Sequence, residues 1–142
     1  MKISTRNIFS GTVSLLTPGA VNAEVEVTTA GGDKIVAIVT ESSVKSLGLA
    51  PGKPVQAFVK APWVVLLTGT ADVRFSARNQ YQGKVAKVSK GAVNAEVTLE
   101  LAGGSLIQAI VTNESLQEMG LAPGVAATAL IKASHVILGV AI

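Results

Sequence analysis

An internal repeat constrains this chain more than any other feature of its sequence. The segment Gly19–Val25 recurs letter for letter as Gly91–Val97, and with this offset the two halves of the chain align without a gap. About half of the aligned positions are identical, which indicates a duplication. We therefore predict two similar units, at residues 1–69 and 73–142, and we expect function to reside in the residues that both copies keep.

Composition indicates that these units associate with other copies of the chain. A unit of about 70 residues is small for a self-sufficient core, and such units often rely on oligomerisation, metals or disulfides. The 142-residue chain has no cysteine, is 49% hydrophobic and is only 15% charged, against about 25% charged in a typical soluble domain. Disulfides and thiolate metal sites are therefore excluded, and burial of apolar surface between subunits is the expected alternative.

The sequence contains no sign of a membrane segment or an export signal. Its apolar runs are broken by glycine, proline or charges, well short of the roughly 18 residues that span a bilayer. The N-terminus has no basic-then-apolar leader, so we expect a cytoplasmic protein without a membrane partner. The net charge of +3 is distributed over both halves, which suits small anions better than a long phosphate backbone.

Hydrophobic patterning predicts five short strands and one short helix in each unit. Apolar and polar side chains alternate between residues 21 and 28, the pattern of a half-buried strand. Thr40 is a natural helix N-cap and Gly48 a natural helix end. The predicted strands are 7–16, 21–29, 34–39, 55–60 and 63–67, and the last two of the second unit are 127–132 and 136–140. This order is that of an OB-type barrel, so we predict an all-β fold of two tandem five-stranded OB-type barrels, each with one short helix.

The residues that both copies keep do not form a catalytic or cation-binding set. Acyl transfer needs a nucleophile with a positioned base, and acid–base catalysis usually needs a histidine or a perturbed carboxylate pair. The single histidine, His135, aligns with Trp63, and we predict that it packs at the start of a strand. Glu24 and Glu96 are expected on a solvated strand face or in salt bridges between subunits. Clustered metal ligands are missing from the pattern, so we predict neither an enzyme nor a cation site.

Both copies instead keep groups that donate to anions. Each unit has one arginine, one lysine and three hydroxyls, namely Ser4, Arg6, Thr40, Ser43 and Lys60, aligned with Ser76, Arg78, Thr112, Ser115 and Lys132. Arginine offers a rigid fork and lysine a compact charge to an oxyanion. Thr40 and Ser43 would lie at the first helical turn, where unpaired N–H groups favour an anion. Each residue alone also has an ordinary interpretation as a cap, a strand-end charge or a turn residue.

Three motifs, in the same order in both units, resemble the molybdate-binding Mop domain. They are Ser-Ala-Arg-Asn near the start (Ser76–Asn79), Gly-Ala-Val-Asn-Ala-Glu-Val, and Lys-Ala-Ser-x-Val-Ile-Leu or Lys-Ala-Pro-Trp-Val at the end. Two such domains over nearly the whole chain resemble the two-domain molbindins. The resemblance implies a cytoplasmic protein that stores or buffers molybdate and tungstate. It also implies a homotrimer whose sites lie between six OB-like domains, with molybdate or tungstate as the ligand and no cofactor. The scarcity of aromatics and the distributed charge predict no nucleic-acid partner.

The resemblance further implies two classes of oxyanion site. One class takes the serine and arginine of one domain with the threonine, serine and Lys-Ala backbone of a neighbour. Carried over, this first class comprises Ser4, Arg6, Thr40, Ser43, Lys60 and Ala61, and Ser76, Arg78, Thr112, Ser115, Lys132 and Ala133. The second class, near the threefold axis, corresponds to Ala20, Val21, Asn22, Ala92, Val93 and Asn94.

Two departures from the motifs predict that the paired sites differ. Thr5 replaces the motif's alanine and would narrow one pocket, and Ser134 adds a hydroxyl where the first unit has Pro62. The sequence shows neither a helix-turn-helix nor a nucleotide-binding domain, so we expect the binding module alone. The alternative function is an OB-type nucleic-acid binder. That use needs stacking aromatics on a basic groove, and aromatics are only 4% of the chain.

Overall fold

The computed structural model describes residues 1–70 and 72–142, and Ala71, in the connection between the units, lies outside the described residues. Repeat one (residues 1–70) contains β1 (Asn7–Thr17), β2 (Asn22–Thr29), β3 (Lys34–Thr40), α1 (Glu41–Leu47), β4 (Pro54–Val59) and β5 (Val65–Leu67). Repeat two (residues 72–142) contains β6 (Asn79–Lys90), β7 (Asn94–Leu101), β8 (Leu106–Thr112), α2 (Asn113–Glu118), β9 (Ala126–Ile131) and β10 (Ile137–Gly139). Short 3-10 turns, Ala61–Trp63 and Ala133–His135, precede β5 and β10.

Alternation of apolar and polar side chains gives each strand one buried face. In β2, Ala23, Val25 and Val27 are buried while the side chains between them are partly exposed, as the two-residue period of a strand requires. The pairing of β1 with β2 is irregular between Val13 and Leu15, and β6 has the same irregularity at the aligned place. Such a bulge bends a strand and increases its twist, which helps each sheet to curl.

The helix signals predicted from the sequence are confirmed. Thr40 has an extended backbone, and its hydroxyl accepts the Ser43 N–H at 3.0 Å, the usual bond of a threonine N-cap. Gly48 ends α1 with a φ of 61°, a left-handed conformation that glycine adopts at little cost. Within the described ranges, no helix has the length and apolar character needed to cross a membrane.

The two repeats exchange their last strands. The sheet orders are β10-β4-β1-β2-β3 and β5-β9-β6-β7-β8, so each sheet combines four strands of one repeat with the fifth strand of the other. β10 pairs with β4 and also contacts β3, which curls the sheet toward a barrel. The predicted all-β fold of two tandem five-stranded OB-type units is confirmed. The domain boundaries at 69 and 73 stay a prediction, because each sheet contains residues from both sides of them.

The exchanged strands begin later than predicted, because a 3-10 turn comes before each of them. Val65 opens β5 and Ile137 opens β10. The turns bring together Trp63 and His135, which occupy aligned positions, with ring centroids 4.8 Å apart. Direct contact between equivalent residues is the mark of a twofold relation, so the repeats are related by an approximate twofold axis near these rings.

One hydrophobic core serves both repeats. Val25 from one sheet and Leu99 and Ile107 from the other belong to the same buried cluster. The β2–β3 and β7–β8 hairpins also touch, and a Cβ atom on Gly31 would overlap the carbonyl oxygen of Gly103. Glycine is therefore needed where the hairpins meet, and the two repeats form a single packed unit.

Candidate functional site

A buried asparagine fastens the start of each repeat to the sheet of the other repeat. The Asn79 side chain donates to the Val36 carbonyl oxygen and accepts from the Val36 N–H, both at 2.8 Å. Asn7 makes the same pair of bonds with Gln108, at 2.8 and 2.7 Å. Val36 and Gln108 lie on β3 and β8, which are edge strands. The asparagines thus pair edge groups that the sheets leave unpaired, and they position the residues just before them over the opposite repeat.

Each predicted arginine consequently reaches a glutamate of the other repeat. Both terminal nitrogens of Arg78 lie 2.6 Å from Glu24 carboxylate oxygens, whereas Arg6 makes one longer contact of 3.7 Å with Glu96. The hydrogen bonds to Glu24, and then its charge, raise the pKa of Arg78. The arginine side chains remain 51% and 61% exposed at Arg78 and Arg6, so each guanidinium also faces solvent.

Each predicted lysine and arginine lies one residue beyond the last pair of a strand ladder. The β6–β9 ladder ends with the pair Asn79 and Ile131, and one residue beyond it lie Arg78 and Lys132. Ala133 is buried in the 3-10 turn that follows, and this turn packs against β3. The aligned residues Arg6, Lys60 and Ala61 have the same arrangement against β8. The participation of the Lys-Ala backbone with the hydroxyls of a neighbouring domain stays a prediction.

On the opposite repeat, two predicted hydroxyls form a hydrogen-bonded chain. Thr40 Oγ1 accepts the Ser43 N–H and donates to Ser43 Oγ at 2.9 Å, which leaves the Ser43 hydroxyl hydrogen for an outside acceptor. The Glu41 N–H donates to the Val21 carbonyl oxygen at 2.8 Å. Two helix amides that we expected to be unpaired are therefore engaged within the chain, and the hydroxyls remain as donors. Thr112 and Ser115 repeat the arrangement.

Strand register brings the hydroxyls and the arginine to one face of the sheet. In the β2–β3 ladder Asn22 pairs with Thr40, and Glu24 pairs with Ile38. Side chains two residues apart on a strand point to the same face, so Thr40 lies on the face where Arg78 meets Glu24. We call Arg78, Lys132, Thr40 and Ser43 the Arg78 cluster, and Arg6, Lys60, Thr112 and Ser115 the Arg6 cluster. Each cluster combines residues of both repeats.

The second predicted set lies next to these clusters. Ala20, Val21 and Asn22 are exposed at the turn between β1 and β2, Val21 by 73%. The Gly19 N–H donates to the Glu41 carboxylate at 2.9 Å, which ties this turn to the start of α1. The aligned Ala92, Val93 and Asn94 are exposed beside α2, where the Asn113 side chain donates to the Gly91 carbonyl oxygen at 2.9 Å.

Most of the predicted first-class donors face outward. Thr40, Lys60, Thr112 and Lys132 are exposed, and Ser43 and Ser115 are partly buried. Ser4 and Ser76 are exposed two residues before the arginines. An open groove of about 470 Å³ runs between the hairpins beside Arg6, but Arg6 is the one first-class residue in its lining. Over residues 1–70 and 72–142, no group of three or more His, Cys, Asp or Glu side chains is placed to hold a metal ion. A bound oxyanion would therefore need a further surface to enclose it.

The sequence did not predict the glutamates as partners of the arginines. Both copies keep Glu24 and Glu96, and that repetition was the available signal. They pair across the repeats of one chain rather than standing alone on a solvated face. Thr5, which departs from the motif, has a buried hydroxyl oxygen that lacks a hydrogen-bond partner among the described residues, and the aligned residue is Ala77.

The comparisons with known proteins cover nearly the whole chain. The TOBE domain family matches the chain twice, at residues 3–66 and 76–138. The molybdenum-pterin-binding protein MopA of Rhodobacter capsulatus is 48% identical over 138 residues, 97% of this chain and 52% of MopA. The molybdenum transport protein ModE of Azotobacter vinelandii is 44% identical over 140 residues, 99% of this chain and 52% of ModE. The chain thus spans about half the length of these relatives.

A solved structure agrees with the fold over its full length. The cytoplasmic molybdate-binding protein ModG, in a crystal form with molybdate bound, has a TM-score of 0.94 and 58% identity, covering 99% of this chain and 100% of that one. None of these three relatives is named as an enzyme, in agreement with the prediction from the sequence. The predicted resemblance is confirmed by the tandem family match and the full-length similarity: the chain belongs to the two-domain molbindin family, in which two TOBE (Mop) domains follow one another.

Proposed function

We propose that this protein binds molybdate, and tungstate in the same way, and that it stores or buffers the oxyanion in the cytoplasm for molybdenum homeostasis. The observation that carries the proposal is that an arginine of one repeat reaches the sheet face of the other repeat that carries the threonine of a Thr-Ser hydroxyl pair. A tetrahedral dianion accepts hydrogen bonds on all sides, and cationic donors bind it most strongly. The description of ModG as a cytoplasmic molybdate-binding protein supports this ligand.

The residues divide by the kind of donor that they offer. Lys60 and Lys132 supply compact charges, and Arg6 and Arg78 supply forks. The Ala61 and Ala133 side chains are buried, so these two residues would contribute only their backbone. The exposed turns at residues 20–22 and 92–94 would hold further ions through backbone groups and asparagine amides.

The proposed protein is a homotrimer with sites between its domains. Large apolar side chains remain more than half exposed in the chain, among them Leu15, Val21, Val65, Val93 and Ile137, and exposed apolar surface commonly marks interaction sites. Val65 and Ile137 lie on β5 and β10, at sheet edges, where further strands can add. A second subunit on these surfaces would also enclose the outward-facing clusters, and bound ion would then stabilise the assembly by mass action.

Isothermal titration with sodium molybdate, with sulfate as the control anion, tests the proposal. We expect saturable binding of several molybdate ions per trimer and little response to sulfate. Substitution of both Lys60 and Lys132 by alanine should abolish most of the binding, while Lys45→Ala, which removes a charge outside the clusters, should not. Sedimentation equilibrium of the same samples measures the oligomeric state.

Two results would overturn the proposal. If the wild type binds neither molybdate nor sulfate, the family relation would indicate a shared fold without a shared ligand. An equal loss in Lys45→Ala and in the double lysine variant would show binding by diffuse charge alone. Because a relative from Yersinia pestis is named as a transcriptional regulator, single-stranded and duplex oligonucleotides are the ligands to titrate next in either case.

A further inference from the structure

We propose that Glu24 and Glu96 are internal counter-ions that rank the two clusters. In this assignment Glu24 competes with the bound oxyanion for Arg78, whereas Glu96 leaves Arg6 available. The Arg6 cluster therefore fills at lower molybdate concentration than the Arg78 cluster. This inference rests on the proposed function, because it concerns the order in which the same clusters are occupied.

The geometry of the two pairs is the first support. Arg78 presents both terminal nitrogens to Glu24, at 2.6 Å each, the bidentate arrangement in which a guanidinium binds a carboxylate most strongly. An oxyanion that binds Arg78 in the same fork must displace Glu24. Arg6 has one contact of 3.7 Å with Glu96, which is beyond hydrogen-bond length. Its fork is open to an incoming ion.

The position of Glu24 is the second support. Glu24 lies on the same sheet face as Thr40, two residues along the ladder from it. A dianion held by Thr40 and Ser43 would therefore lie close to the Glu24 carboxylate and be repelled by it. Glu96 stands in the same register to Thr112, so this repulsion supports a counter-ion role for both glutamates and does not rank the clusters. Glu24 and Glu96 have similar exposed side-chain fractions, 33% and 30%, so solvent screening does not separate the two pairs. The difference lies in how each arginine is held.

The neighbouring side chains explain why the arginines are held differently. The Tyr81 hydroxyl donates to the Lys34 carbonyl oxygen at 2.7 Å and lies 3.0 Å from Asn79 Oδ1, which fastens the start of β6 to β3. Phe9 occupies the aligned position and has no hydroxyl. The segment that carries Arg78 is thus fixed at more points than the segment that carries Arg6.

Titration of single variants with sodium molybdate tests the ranking. Arg6→Gln and Arg78→Gln first identify which binding phase belongs to which cluster. Glu24→Gln should then tighten the Arg78 phase by about threefold to tenfold, the range set by losing one exposed ion pair and one nearby like charge. Glu96→Gln removes the same kind of nearby like charge but no bidentate ion pair, so it should tighten the Arg6 phase by less than Glu24→Gln tightens the Arg78 phase. Glu100→Gln removes an exposed carboxylate of β7 outside the clusters and should change neither phase.

The outcomes separate this inference from the proposed function. If the wild type binds molybdate but Glu24→Gln leaves the Arg78 phase unchanged, the counter-ion assignment is wrong. If Glu24→Gln weakens that phase, the assignment is also wrong and Glu24 is a positioning residue for Arg78. If the wild type does not bind molybdate, both proposals fail. Glu24→Asp is the second variant, because it keeps the charge but shortens the side chain, and it should tighten the Arg78 phase less than Glu24→Gln. Thermal unfolding of each variant confirms that the samples are folded.

Discussion

The start of repeat two makes more hydrogen bonds to repeat one than the start of repeat one makes to repeat two. At the start of β6, repeat two makes two hydrogen bonds to repeat one through Arg78, two through Asn79 and one through Tyr81. At the start of β1, Asn7 makes its two bonds, and Arg6 makes only its long contact. Both repeats have thus kept the buried asparagine and its two hydrogen bonds, whereas the contacts of the flanking residues have diverged. Near-identical motifs can therefore hold sites of unequal character.

Removal of the buried asparagine side chain at the start of a repeat should have the largest effect on stability. Asn79→Ala leaves the Val36 N–H and carbonyl unpaired at a covered sheet edge, and each such group costs about 1–3 kcal/mol. We expect a loss of roughly 2–4 kcal/mol in the free energy of unfolding, measured by urea denaturation at fixed protein concentration. Asn7→Ala should cost less, because no tyrosine hydroxyl approaches its side chain. An equal loss in the two variants would break the comparison.

The fold was largely predictable from the sequence, but the strand exchange was not. The repeat, the strand order and the caps at Thr40 and Gly48 all follow from local patterns, and the structure contains them. The pattern of β10 shows which of its faces is buried, not which sheet it joins. Because β4 and β9 are copies of one another, either is an acceptable local partner for β10. Only the three-dimensional path of the chain distinguishes the two pairings.

The candidate site was predictable as a set of donors but not as an arrangement. Duplication singled out Arg78 and Lys132, and the structure places each of them one residue beyond the last pair of the β6–β9 ladder. The duplication did not show that Glu24 would accept both hydrogen bonds of the Arg78 guanidinium. A strand pattern predicts which face a side chain lies on, but not which residue it contacts. That partner depends on the Asn79–Val36 hydrogen bonds and other contacts between residues far apart in sequence.

The hairpin contact gives the next largest effect. The Asp33 carboxylate accepts the N–H groups of Gly103 and Ser105 at 3.3 and 3.2 Å, and the aligned residue in repeat two is Ser105 itself. Asp33→Ser should lower the free energy of unfolding by about 1–2 kcal/mol, because two partly buried N–H groups lose a charged acceptor. Ser105→Ala is the matched control, since Ser105 takes part through its backbone. A loss as large in the control would show that the hairpin packing and not the carboxylate matters.

Tyr81→Phe makes repeat two resemble repeat one and adds a test in pH. Burial, and then the charge of Asp33, raises the pKa of Tyr81 above its ordinary value near 10. Above pH 10 the unfolded chain therefore loses the phenol proton while the folded chain keeps it, so the tyrosine's contribution to stability declines as pH rises. Tyr81→Phe should cost about 1 kcal/mol at neutral pH through the lost bond to Lys34. That difference from the wild type should shrink above pH 10, and a constant difference would contradict the pKa shift.

The smallest expected effect is the one that compares the two ion pairs directly. Exposed pairs contribute little to stability, so single substitutions of Arg78 or Arg6 by glutamine are poor tests by themselves. A double-mutant cycle isolates the pair term: Arg78→Gln with Glu24→Gln, against Arg6→Gln with Glu96→Gln. We expect measurable coupling for the first pair, because both terminal nitrogens of Arg78 contact Glu24 carboxylate oxygens at 2.6 Å. The second pair should show no coupling within error, because its single contact is 3.7 Å long.

The coupling between Arg78 and Glu24 should weaken with added salt, since the pair is partly exposed. Equal couplings at low salt would mean that the two arginines are held alike, and the ranking of the clusters would then lose its structural basis.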